Sequence, residues 1–156
     1  MKKRLATMIL CAAMTASILA GCKTGKESNA PADTAAGTAK DAVDRLRERG
    51  EKAGLIKIRL FRPFPAEAIA EALKNVKAIA VMDRAEGYTN HGGPLGADVM
   101  AALFRAKSPA HAINIVYGLG GRDVRVGDIE NVFEDLNQII KDGDAGETYR
   151  YMGIRE

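Results

Sequence analysis

The chain has 156 residues, enough for one domain with a modest core, and it carries 23 basic and 20 acidic side chains. Four Phe, four Tyr and no Trp offer no stacking platform for bases, and two cysteines are too few for an iron–sulfur cluster. These counts argue against a nucleic-acid-binding protein and against a cysteine-ligated metal protein.

The N-terminal segment has the pattern of an export signal. Lys2, Lys3 and Arg4 form a positive cluster, and a mostly apolar stretch follows as far as Ala20. This stretch is shorter than the roughly 20 apolar residues of a membrane-spanning helix. Small residues then precede Cys22, as in bacterial lipoprotein signals. We therefore predict a lipoprotein-type signal peptide at residues 1–21, with lipidation of Cys22; the alternative is a plain signal peptide with an incidental cysteine.

Removal of this leader would change the charge and the cysteine count. Lys2, Lys3 and Arg4 would be lost, which leaves 20 basic and 20 acidic side chains. A neutral domain gives no reason to expect a nucleic-acid partner. Cys11 would leave with the leader and Cys22 would be acylated, so neither would be available for a disulfide or a metal.

Residues 22–36 contain no large apolar side chain and are predicted to form a flexible tether. A helix is then predicted over residues 38–49, with Val43 and Leu46 on its apolar stripe. Gly50 is a plausible end for this helix.

The middle of the chain alternates between strand and helix patterns. Residues 55–60 alternate in polarity, which predicts a strand near a sheet edge, and Pro65 suits the first turn of a helix over residues 66–75. Residues 77–83 form an unbroken apolar run, as expected for a central parallel strand. The pattern thus indicates a β–α–β unit.

The alternation continues to the end of the domain. A polar loop over residues 85–93 leads to a helix beginning at Pro94, and a strand is predicted over residues 112–117. The loop of residues 118–125 precedes a helix over residues 128–141. We predict a tight turn in this loop, with Arg122 and Asp123 paired to neighbouring segments; the alternative is an anion site formed by its glycine amides and Arg122. The tail, residues 143–156, is rich in glycine and charge, and its possible docking points are Tyr149, Tyr151, Met152 and Ile154.

Strands that alternate with helices predict a three-layer α/β/α domain with a mostly parallel sheet, here over residues 37–142. Four sequence blocks in this order resemble pyruvate:ferredoxin oxidoreductases, enzymes that oxidise 2-oxoacids. The resemblance is to the transketolase C-terminal-like domain (domain II) of the alpha subunit and covers residues 37–136. The blocks are Leu60-Phe61-Arg62-Pro63-Phe64-Pro65, Val81-Met82-Asp83-Arg84, Gly92-Gly93-Pro94-Leu95 and Gly118-Leu119-Gly120-Gly121-Arg122-Asp123-Val124.

The resemblance also implies that a strand is missing. In the family, an apolar strand stands before the first helix and lies between the strands that match residues 55–60 and 77–83. Here a leader and a tether stand in its place, so we expect an incomplete domain lacking its first strands. An empty interior position would leave backbone groups unpaired, which predicts a marginal fold or one completed by a partner strand.

No catalytic, cofactor-binding or metal-ligating residue is predicted. His91 and His111 have no Cys or carboxylate at ligand spacing, and there is no Gly-x-Ser-x-Gly elbow. Asp83 is predicted as a helix cap or local ion pair, and the amides near Gly92 as a generic anion site or a plain helix entry. The family packs through its loops, which makes these residues interface candidates: Arg62, Asp83, Arg84, Gly92, Gly93, Gly118, Gly120, Gly121, Arg122 and Asp123.

The whole enzymes of the family use thiamine diphosphate, iron–sulfur clusters and coenzyme A, and they pass electrons to ferredoxin. The resemblance implies a non-catalytic interface domain that is inactive alone and packs against other domains or subunits of such an enzyme. The alternative is a lipid-anchored envelope lipoprotein that acts as an interaction module, at the cell membrane or the outer membrane. The resembled enzymes are cytoplasmic, so the leader is either natural or the product of a misjoined gene start.

Overall fold

The computed structural model describes residues 8–13, 35–88 and 92–154. The strands are β1 (Met8–Ala13), β2 (Ala53–Ile58), β3 (Ala78–Asp83), β4 (His111–Val116) and β5 (Tyr149–Tyr151). The helices are α1 (Ala35–Glu48), α2 (Ala66–Leu73), α3 (Pro94–Arg105) and α4 (Val126–Asp142). Within these ranges no helix has the length and apolar character needed to cross a membrane.

The five strands form one parallel sheet in the order β2-β1-β3-β4-β5. All six residues of β3 are buried, which confirms the prediction of a central strand from its unbroken apolar run. The strand β2 lies at an edge of the sheet, as its alternating polarity predicted. In β2 and β3 the sequence pattern therefore indicates whether the strand lies at an edge or in the centre of the sheet.

Helices cover both faces of the sheet. On one face α1 and α4 pack on the sheet, with Phe133 of α4 fully buried between them. On the other face α2 and α3 cover β3 through Leu73 and Val99. Successive residues of β3 point to opposite faces, so Met82 belongs to the first cluster and Val81 to the second. The predicted three-layer α/β/α class is confirmed.

The predicted gap in the sheet is filled by the chain itself. The strand β1 pairs in parallel with β2 on one side and with β3 on the other, with Met8 opposite both Ala53 and Ala78. Residues 8–13 belong to the segment predicted as a leader. The apolar character of these six residues suits a buried strand, and the longer apolar stretch around them gives the leader pattern. The sheet of this chain therefore has its interior strand.

The tail also contributes to the sheet, although we predicted it as a separate segment over residues 143–156. The strand β5 pairs with β4, where the Asn114 amide donates to the Thr148 carbonyl at 2.7 Å and the Met152 amide to the Val116 carbonyl at 2.9 Å. These bonds satisfy the outer edge of β4. A strand of three residues depends on this pairing, which sequence periodicity does not reveal.

Some predictions are displaced by a few residues or lie outside the described ranges. The helix α1 begins at Ala35, so the end of the predicted tether, residues 22–36, is helical. The helix α4 begins at Val126, two residues before the predicted start. Cys22, the rest of the tether and His91 lie outside the described residues.

Candidate functional site

A buried polar cluster joins the carboxyl end of β3 to the first turn of α3. Asp83 is the last residue of β3, and its side chain is almost fully buried. Its Oδ1 accepts a hydrogen bond from the Leu95 amide at 3.0 Å, and its Oδ2 accepts one from the Gly96 amide at 2.8 Å. A carboxylate at the positive end of a helix satisfies amides that have no partner within the helix. Asp83 thus caps α3 from a neighbouring strand.

Asn114 of β4 completes this cluster. Its Nδ2 donates to Asp83 Oδ2 at 2.9 Å and to the Val81 carbonyl at 3.0 Å, and its Oδ1 accepts from the Gly93 amide at 2.6 Å. The Asn114 side chain is buried and fully hydrogen-bonded. A buried polar network of this kind fixes one arrangement of the elements it joins. Here it fixes β3, β4 and α3 against one another.

Three glycines make the close approach possible. A methyl group on Gly96 would lie 2.5 Å from Asn114 Nδ2, and one on Gly92 would lie 2.7 Å from Asn114 Oδ1. A methyl group on Gly93 would overlap the Asp83 carboxyl group. Gly92 also has a φ of 102°, a backbone conformation that favours glycine. The Gly92-Gly93-Pro94-Leu95 block is thus explained by contact with Asp83 and Asn114.

This geometry decides between the alternatives for the helix entry. The amides that we considered as a generic anion site are bound by Asp83 and Asn114, so the anion is a side chain of the protein. The cap role for Asp83, one of the interpretations that the sequence favoured, is the one observed. Asn114 was missed. Its only sequence signal is a polar amide in the middle of the apolar run of β4.

The loop after β4 is a tight turn on the same edge of the sheet. Gly118 has a φ of 70°, and the Gly121 amide donates to the Gly118 carbonyl at 3.2 Å. Arg84 packs over Gly118, where a methyl group would lie 3.3 Å from Arg84 Nε. The turn was expected. The accompanying ion pairs of Arg122 and Asp123 do not occur within the described part of the chain.

Arg62 occupies the loop after β2. Its guanidinium lies 4.0 Å from the centre of the Phe61 ring and donates to Asp98 of α3 at 2.6 Å. Arg62 was predicted as an interface residue; here it both stacks and pairs within the chain itself. The Arg62 side chain is more than half exposed, so these contacts leave it accessible.

The structure separates the ten interface candidates into two groups. Asp83, Gly92 and Gly93 are buried, because they form the cluster beneath α3, and they are not available to a partner in this conformation. The others are exposed or half-buried: Arg62, Arg84, Gly118, Gly120, Gly121, Arg122 and Asp123.

Large apolar side chains are exposed on the same edge of the sheet. We call them the carboxyl-edge surface, since they lie on β5 or on the segments that follow β2, β3, β4 and β5. The ring centres of Tyr149 and Tyr151 lie 5.2 Å apart, and the neighbouring Tyr149 and Glu86 side chains raise the pKa of Tyr151. Phe104 is also exposed but ends α3, at the opposite edge of the sheet. The carboxyl-edge surface consists of Leu60, Phe61, Tyr88, Leu119, Tyr151 and Ile154.

Tyr117, just after β4, provides a test of burial at this edge. Burial raises the pKa of its phenol above 10, Arg84 opposes that rise and Asp83 adds to it. The folded state therefore keeps this proton at a pH where the unfolded chain has lost it. We expect the contribution of Tyr117 to the free energy of unfolding to be constant below about pH 10 and to fall above it. Chemical denaturation at a series of alkaline pH values should show a shallower fall in Tyr117→Phe, and equal slopes would contradict the assignment.

No group of three or more His, Cys, Asp and Glu side chains in the described ranges has metal-binding geometry. His111 is half-buried at the start of β4. Asp83 and Arg84 lie near the other end of β4, since Asp83 of β3 is opposite Val116. The described residues thus bring together a helix cap, a turn and an exposed surface at this edge of the sheet.

Comparison with known proteins gives a consistent family. The family described as pyruvate:ferredoxin oxidoreductase core domain II matches residues 32–129. Pyruvate synthase subunit PorA of Methanosarcina barkeri is 38% identical over 120 residues, which are 77% of this chain and 30% of that protein. Ketoisovalerate oxidoreductase subunit VorA of Pyrococcus furiosus is 42% identical over 107 residues, 69% of this chain and 27% of that protein.

A third relative extends the range of substrates. The alpha subunit of NADH-dependent phenylglyoxylate dehydrogenase from Aromatoleum evansii is 39% identical over 104 residues, 67% of this chain and 25% of that protein. The chain thus spans less than a third of the length of each of these relatives.

Proposed function

The chain belongs to the pyruvate:ferredoxin oxidoreductase core domain II family, and from this premise we propose that it is a non-catalytic interface domain of a 2-oxoacid:ferredoxin oxidoreductase alpha subunit. The observation that carries the proposal is that the buried polar groups at the carboxyl edge of the sheet are hydrogen-bonded to one another. In open α/β folds this edge is where ligands bind. Here Asp83 and Asn114 occupy the anion position at α3, and exposed apolar side chains lie on β5 and on the segments that follow the strands at the same edge.

The cofactors of such enzymes would come from other parts of the assembly. The described residues do not fit an iron–sulfur cluster, because they bring no thiolate cluster together. The N-terminus of α3 holds the Asp83 carboxylate, so its amides are not free to bind the phosphates of thiamine diphosphate or coenzyme A. We therefore assign no catalytic step to this chain, and we expect no oxidation of any 2-oxoacid by the purified chain alone.

The contact with the rest of the enzyme is assigned to the carboxyl-edge surface. Exposed apolar clusters with a charged rim are typical of protein–protein interfaces. Leu119 lies within this surface, and Arg84 and Arg122 flank it. The partners would be the thiamine-binding and iron–sulfur domains or subunits of a 2-oxoacid oxidoreductase, with ferredoxin as electron acceptor of the whole assembly.

Co-purification of the tagged full chain with thiamine-binding and iron–sulfur subunits tests this proposal. We expect Leu119→Glu to reduce the recovered complex at least about tenfold, because it places a charge within the proposed contact. Phe104→Glu is the matched control, since Phe104 is even more exposed but lies at the opposite edge. Equal recovery of both variants would contradict the interface, and turnover of a 2-oxoacid by the chain alone would contradict the non-catalytic role.

A second candidate is a lipid-anchored envelope protein, with the domain as an interaction module. It is favoured by the basic cluster, the apolar stretch and the small residues before Cys22. Incorporation of labelled fatty acid that is lost in Cys22→Ser, together with recovery of the chain in membrane fractions, would support it. Recovery of an unlabelled chain in the cytoplasm together with oxidoreductase subunits would favour the first candidate.

A further inference from the structure

The strand β1 occupies an interior position of the sheet and is hydrogen-bonded on both sides. It separates β2 from β3 and pairs with both over its whole length or nearly so, from Met8 opposite Ala53 and Ala78 onwards. In a parallel sheet, successive residues of an interior strand direct their backbone groups to alternate neighbours. Loss of β1 would therefore leave unpaired N–H and C=O groups on the facing edges of β2 and β3. The central strand β3 would then be hydrogen-bonded on one side only.

This strand precedes the residues that the family match covers, 32–129. Backbone pairing on both sides holds Met8–Ala13 between β2 and β3, where the resemblance implied a strand. The segment also lies within the apolar stretch that gives the N-terminus its leader pattern. The six residues of β1 thus belong both to an interior strand and to the apolar region of the leader pattern.

We propose that Met8–Ala13 is a retained interior strand of the working protein and that it can act as a leader only while the domain is unfolded. A leader must be free to enter the export machinery, whereas a strand hydrogen-bonded on both sides is withdrawn from it. Removal of residues 1–21 would also remove β1 and would open the sheet between β2 and β3. Folding and export therefore compete for the same residues. This inference concerns the fate of the N-terminus and is independent of the interface role.

The first experiment tests the strand in the full chain, with Cys22→Ser present to prevent lipidation. We expect the amides of Ile9–Ala12 to be protected from hydrogen exchange. Leu10→Pro removes a donor and disrupts pairing in an interior strand, so the equilibrium constant for unfolding should rise on the order of 100-fold. Ser28→Pro is the control, placed between the strand and α1, and should change it less than about threefold. Exchange at the rate of an unstructured peptide, or equal effects of the two prolines, would overturn the proposal.

The second experiment tests the competition in cells, with the leader unchanged. Phe133→Ala opens a cavity in the core at α4 and should raise the fraction of chains that have lost residues 1–21, measured by mass spectrometry of the N-terminus. Phe104→Ala changes an exposed side chain and should leave that fraction as it is. The proposal fails if both variants give the same fraction, or if the leader is never removed from the Phe133→Ala chain.

Discussion

Replacement of Asp83 by alanine should lower the free energy of unfolding by about 3 to 5 kcal/mol. Three donors lose their acceptor in this variant: the Leu95 amide, the Gly96 amide and Asn114 Nδ2. Each buried donor without a partner costs about 1 to 3 kcal/mol, although Asn114 Nδ2 keeps its bond to the Val81 carbonyl. Urea denaturation of the full chain at neutral pH measures the change.

Two further variants separate the hydrogen bonds from the loss of volume. Asp83→Asn keeps the shape but turns an amino group towards donors, so a loss of about 2 kcal/mol is expected. Asp98→Ala removes a carboxylate whose partner, Arg62, is largely exposed, and it should cost less than about 1 kcal/mol. A loss in Asp83→Ala no larger than that in Asp98→Ala would show that the cluster does not hold α3 in place.

The sequence predicted those parts of the fold whose signal is local. The unbroken apolar run of β3 and the alternation before Pro63 identified a central and an edge strand, because burial on two faces or one sets the side-chain pattern directly. The turn at Gly118 was predictable for a similar reason, since its backbone conformation is one that glycine favours. These elements need no knowledge of distant residues.

The parts that were missed depend on distant contacts or on an ambiguous signal. Met8–Ala13 could not be identified as a strand, because a leader and a buried strand require the same apolar character. The strand β5 has three residues and exists through its pairing with β4. Asn114 lies 31 residues from Asp83 along the chain, and only the register of β3 and β4 brings the two side chains together.

The buried cluster and the exposed surface at the carboxyl edge have a common origin. In this domain the polar groups beneath the edge are hydrogen-bonded to one another. The amides at the start of α3 are therefore not free to bind a ligand, and the backbone around them is held in place. The hydrogen bonds of this cluster hold the surrounding loops in one arrangement. Under the proposed interface role, we expect variants of the cluster to weaken partner binding, because a pre-arranged surface loses less conformational entropy on binding.

Replacement of Gly96 by alanine should destabilise the domain by about 2 kcal/mol, although alanine is the better helix former. The new methyl group would lie 2.5 Å from Asn114 Nδ2 and 2.7 Å from Asn114 Oδ1, well inside van der Waals contact. Asn114 cannot move away freely, because it is bonded to Asp83, the Val81 carbonyl and the Gly93 amide. Urea denaturation of the full chain measures the loss.

Gly127→Ala is the matched control, because Gly127 also lies in the first turn of a helix but has no atom within 4 Å of a new methyl group. There the helix propensity acts alone, and a gain of up to about 1 kcal/mol is expected. Propensity is similar at the two sites, so the difference between the variants measures the overlap with Asn114. Overpacking of a buried site costs about 1 to 3 kcal/mol and outweighs that gain at Gly96. A stabilising Gly96→Ala would mean that Asn114 is free to move and that the cluster is looser than its hydrogen bonds indicate.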